Sequence, residues 1–149
     1  MVKKNFPLFI IIMFTITFPN YSFSHTDNPR HKAMMTLGKT MKQISTINKS
    51  GGSFEPDDLN KLNEIFEISK SFNVLFANDD SGEEESRASP MIWTNKSKFK
   101  NFSNDFEASI AKLINAVNSK SNEKVSNAIA QVGANCGKCH RVFRLPKKN

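Results

Sequence analysis

Cys136-Gly137-Lys138-Cys139-His140-Arg141-Val142-Phe143-Arg144 is the stretch on which the reading of this chain turns. Two cysteines in an exported chain would ordinarily suggest a disulfide. Here they stand three residues apart in a helical context, where a bridge would be strained and reducible. The histidine directly after the second cysteine points elsewhere, because Cys-x-x-Cys-His is the attachment signature for c-type haem. Each sulfur would bond a vinyl-derived carbon of the porphyrin, and His140 would become the proximal iron ligand. Positions i, i+3 and i+4 share one helix face, so Cys136, Cys139 and His140 address a single planar group. A thioredoxin-like motif needs a βαβ context, and no strand pattern surrounds this one. A zinc site wants four ligands, and His25 and His31 are the only further histidines.

Working outward, the segment preceding the motif carries Val125, Ile129, Val132, Cys136, Cys139 and Phe143 at alternating steps of three and four. The one before it carries Phe99, Phe102, Phe106, Ile110, Leu113 and Val117 with the same alternation, as in the core of a left-handed bundle. A helix over Leu59, Leu62, Ile65, Phe66, Phe72 and Phe76 opens at Pro56-Asp57-Asp58, where acids suit the positive end of the helix dipole. A further helix opens at Asn28-Pro29, with asparagine as cap and proline at the first helical position. Its apolar stripe is Met34, Leu37, Met41, Ile44 and Asn48, with Gly38 expected to permit close approach on that face, and Gly51-Gly52 ends it. The acid-rich stretch from Asn78 to Ser86 reads as a solvated connection. Four stripes and mostly short connections predict an all-α fold, a left-handed antiparallel four-helix bundle. The motif continues the fourth stripe, which places one covalently bound haem c inside the bundle among phenylalanines.

The first residues read as a targeting segment. Lys3 and Lys4 precede an apolar run from Phe6 to Phe18, and Ser22-Phe23-Ser24 supplies small residues for signal-peptidase cleavage. Residues 1–24 are therefore expected to be a secretory signal and residues 25–149 the bundle domain. The run is short for a membrane span and is closed by Pro19-Asn20. No other segment is long and apolar enough to cross a bilayer, so the mature chain is expected to have no span. Taking Lys3 and Lys4 from the 21 basic residues leaves 19 against 14 acidic ones, a net charge of +5. The bases are scattered over four amphipathic segments without stacking aromatics, which argues against nucleic acid. A mildly basic surface suits an acidic protein partner, here a redox protein, or an anionic membrane surface.

Nine residues follow His140 and none is methionine, so a sixth iron ligand must lie upstream. The candidates are Met34, Met35, Met41, Met91, His25 and His31. Met34 is on the apolar face of the first helix, Met35 about 100° away, Met41 two turns further along, and Met91 in a loop. The wheel favours Met34, against the ordinary alternative that it is flexible core filler.

These residues resemble the class II c-type cytochromes, the cytochrome c-prime family, and especially its low-spin, methionine-ligated branch. The motif with Arg141-Val142-Phe143-Arg144 is similar to the family's terminal Cys-x-x-Cys-His-x-x-Phe/Tyr-Arg. Arg30-x-x-x-Met34-x-x-x-Gly38-x-x-Met41 resembles its opening helix, and Pro90-Met91-Ile92-Trp93 its Pro-x-Ile-Trp segment. The resemblance covers nearly the whole mature chain and implies a left-handed antiparallel four-helix bundle. It implies Cys136 and Cys139 as thioether anchors, His140 as fifth ligand and Met34 as sixth. It sets Arg30 and Arg144 near the haem propionates, where guanidinium–carboxylate pairing is favourable. High-spin members carry various apolar residues at the Met34 position and leave the iron five-coordinate. The expectation is a periplasmic one-electron carrier of a Gram-negative bacterium, monomer or homodimer, and not an enzyme. The rival is a five-coordinate protein binding nitric oxide or carbon monoxide.

Overall fold

The computed structural model describes residues 28–82 and 86–147. The signal segment, its cleavage after Ser24 and His25 lie outside them. Four long helices, α1 (Pro29–Lys49), α2 (Pro56–Lys70), α5 (Lys96–Asn118) and α6 (Asn122–Phe143), are joined through two single-turn helices, α3 (Phe72–Leu75) and α4 (Met91–Thr94). The long helices pack in a closed square, α1 on α2, α2 on α5, α5 on α6 and α6 on α1. The all-α four-helix bundle expected from the stripes is the observed fold.

The helix starts are local chemistry. The Asn28 side chain accepts from the Arg30 and His31 amides, with Pro29 following at the first helical position. Glu55 and Asp58 form a reciprocal capping box ahead of α2, and the Ser121 side chain caps α6. What sequence periodicity did not show is the break at Ser71, which carries Phe72 and Phe76 off α2 and onto a separate turn.

The core divides in two. The larger part runs along the bundle through Leu37, Ile44, Leu62, Ile65, Phe106, Ile110, Leu113, Val125 and Val132. The smaller part, at the motif end, is Ile92, Phe99 and Phe143, with Phe76, Trp93, Phe102, Cys139 and Val142 packed around it. Its rings meet edge to face: Phe143 lies 5.2 Å from Phe99 and 5.5 Å from Phe102 between centroids.

Two expectations are corrected. Gly38 does not mediate close packing; it is exposed, and a Cβ placed there would meet nothing within 4 Å. The acid-rich connection is not simply solvated, because Asp80 is buried at 8% exposure. A carboxylate there needs a cation, and Arg30 supplies it.

Candidate haem-attachment site

Cys136, Cys139 and His140 lie in the last two turns of α6, whose face is set by Val125 and Val132 below and Phe143 above. The two thiols are half-buried and unbridged. They point into different apolar surroundings: Cys136 packs against the main core, Cys139 against the aromatic cluster. The motif therefore spans the join between the two.

Burial pushes both thiols above their ordinary pKa, and Cys139, with Cys136 beside it, reaches about 11. His140 stays solvent-accessible. Partial desolvation, and then the positive charges of Arg144 and Arg87, push its pKa down, which favours a neutral imidazole able to ligate metal. Among the described residues, no three or more His, Cys, Asp or Glu side chains are gathered to hold a metal ion by themselves. This donor set fits haem c: two protonated thiols one helical turn apart, a neutral imidazole beside the second, and an aromatic wall.

The methionines separate clearly. Met35 is 60% exposed and Met91 39% exposed, both away from the core. Met34 and Met41 are half-buried against the same main core that Cys136 packs on. Arg30 distinguishes them. One turn before Met34, its guanidinium stands 5.3 Å from the Phe76 ring centre and 5.9 Å from that of Trp93. Both rings pack on the cluster that receives Cys139. Arg30, one turn before Met34, thus reaches the motif end, and Met41 lies about 10 Å further along the axis than Met34.

Arg30 also donates from Nη1 to Asp80 Oδ1 at 2.6 Å and pairs through Nη2 with Oδ2. Its guanidinium is already engaged by a carboxylate of this chain. Arg144 is exposed, close enough to His140 to perturb it, and its backbone makes an antiparallel bridge to Ala88. Sequence reasoning missed Asp80, Ser86 and Arg87. Ser86 Oγ donates to Asp80 Oδ1 at 3.1 Å, and Arg87 Nε donates to the Leu145 carbonyl at 3.0 Å. No motif links positions 50 or 58 residues apart. The hint available was Arg87, a lone base directly after the acidic run.

Comparison with known proteins agrees with this geometry. The family model described as Cytochrome C' matches residues 27–144. A cytochrome c-556 of Agrobacterium tumefaciens strain B2A is 31% identical over 126 residues, covering 79% of this chain and 95% of that protein. A cytochrome c' of Alcaligenes xylosoxydans xylosoxydans is 31% identical over 93 residues, covering 62% and 73%. Among solved structures, a ferrous variant of Alcaligenes xylosoxidans cytochrome c prime with bound NO superimposes with a TM-score of 0.69 at 23% identity, covering 79% of this chain and 91% of that one. Rubrivivax gelatinosus cytochrome c' gives 0.65 at 19%, covering 77% and 91%.

Proposed function

The chain belongs to the cytochrome c' family, and from that premise we propose that it carries single electrons through a haem iron held between His140 and Met34. It is a monohaem c-type cytochrome whose haem c is covalently bound. Cys136 and Cys139 would hold the group through thioethers, and His140 would ligate its iron. When bound, the haem supplies a one-electron couple whose potential depends on axial ligands, burial and nearby charge.

The residues supply the rest. Phe99, Phe102 and Phe143 exclude water from the Cys139 side. Arg87 and Arg144 bring positive charge to the exposed His140 edge, and with exposed Arg141 they favour an acidic protein partner there. Export of the mature domain to the periplasm belongs to the same reading. The observation that carries it is that Met34 is half-buried on the core that Cys136 packs on, one turn from Arg30, whose guanidinium reaches the aromatic cluster.

A second reading is kept because the Alcaligenes structure with this fold has NO bound: a five-coordinate iron that takes up nitric oxide or carbon monoxide. Visible spectra of the purified protein, oxidised and reduced, with and without carbon monoxide, separate the two. A low-spin spectrum with a sulfur–iron charge-transfer band, lost in Met34→Ala, supports the carrier. A high-spin spectrum with ready carbon monoxide uptake, unaltered by that substitution, refutes Met34 ligation and leaves the gas-binding reading.

A further inference from the structure

The Arg30–Asp80 pair is out of place for a surface ion pair. Its side chains are 17% and 9% exposed, and the guanidinium lies over two aromatic rings. Such a pair costs desolvation to assemble, and losing one partner leaves a buried charge uncompensated. Its connections run in two directions. Arg30 is in the first turn of α1, on the face that carries Met34 one turn later. Asp80 is held by the Ser86 hydroxyl, and the residues after Ser86 are fastened to the end of α6. The Ser89 amide donates to the Phe143 carbonyl at 3.0 Å, the Leu145 amide to the Arg87 carbonyl at 2.8 Å, and Arg87 Nε to the Leu145 carbonyl.

A continuous set of contacts therefore joins the turn of α1 bearing Met34 to the turn of α6 bearing His140. We propose that Asp80 is a positioning residue: by clasping Arg30 it holds the first turns of α1 at a set distance from the motif end of α6, and so sets access to the distal side of the iron. The inference rests on the placement of the haem between α1 and α6, and it holds whether Met34 ligates the iron or merely covers it. Releasing the clasp removes the ion pair that ties the first turn of α1 to the segment fastened to the end of α6.

The test is the carbon monoxide association rate of the reduced, full-length haem protein, measured for wild type, Asp80→Asn, Asp80→Glu and Ser86→Ala. Asp80→Asn keeps the side-chain shape and removes the charge. It is expected to speed association about tenfold, equivalent to about 1.4 kcal/mol of bias towards the open arrangement. Asp80→Glu restores the charge and is expected to return the rate most of the way. Ser86→Ala is expected to change it less and in the same direction. Amide exchange of Ala33 to Leu37 should rise in parallel in Asp80→Asn. A haem-loaded Asp80→Asn protein that takes up carbon monoxide at the wild-type rate overturns the clasp, and so does an accelerated rate that Asp80→Glu fails to restore. The wild-type spin state decides Met34 ligation separately, so failure of the carrier reading leaves this comparison intact.

Discussion

Replacing Phe143 by alanine removes a ring that is 4% exposed and sits one helical turn beyond Cys139. Large-to-small changes of this kind cost about 3–5 kcal/mol, combining lost transfer energy with the cavity left behind. The two edge-to-face contacts, with Phe99 and Phe102, contribute about 0.5–1.5 kcal/mol each beyond burial. Phe143→Leu keeps most of the volume and loses both ring pairs, so it should cost about 1–3 kcal/mol. With a urea dependence of about 2 kcal/mol/M for a domain of this size, the alanine variant's midpoint should fall by roughly 2 M and the leucine variant's by about 1 M. The assay is urea unfolding of the haem-loaded protein followed by far-ultraviolet circular dichroism. An alanine variant destabilised by less than about 1 kcal/mol would show that the aromatic cluster does not hold the motif end together. A leucine variant equal to wild type would confine the refutation to the ring geometry.

Asn28→Ala should cost about 1 kcal/mol, since its side chain satisfies two amides at the start of α1; thermal melts of the purified protein measure it. Gly38→Ala should stabilise by about 0.5–1 kcal/mol, because the position is helical, exposed and open. A loss instead would mean that a ligand or a second copy covers that face. Asp105→Asn, which breaks an exposed pair with Lys138, should change stability by less than about 1 kcal/mol, with the effect shrinking further at high salt.

Much of the fold was readable because it is encoded locally. Asn28-Pro29, Pro56-Asp57-Asp58 and the three-and-four spacing of Phe99 to Val117 and Val125 to Phe143 each act within a few residues, and the structure reproduces them. The attachment motif was readable for the same reason, as a one-turn pattern. What escaped is non-local or depends on packing. Ser71 ends α2 without glycine or proline to mark the break. Asp80 looked like one member of a solvated acidic run until the bundle brought Arg30 to it. Arg144 was noted for its charge, whereas its backbone joins the C-terminal return to Ala88. Gly38 shared the helical period of the core stripe, yet the square packing turns it outward.

The square arrangement has a consequence for how the molecule assembles. Three of its four seams join helices that follow one another among the long ones; the fourth joins α1 to α6, which bracket the rest of the bundle. Chain entropy makes contacts between distant segments the slowest to form, so this seam is expected to close after the others. It is also the seam that joins the helix bearing Met34 to the helix bearing the attachment motif. Local opening with a low free-energy cost is concentrated where long-range contacts are sparse, and α1 meets α6 through fewer of them than α5 does. The seam between the two helices farthest apart in sequence is thus the one expected to close last and to open at the lowest cost.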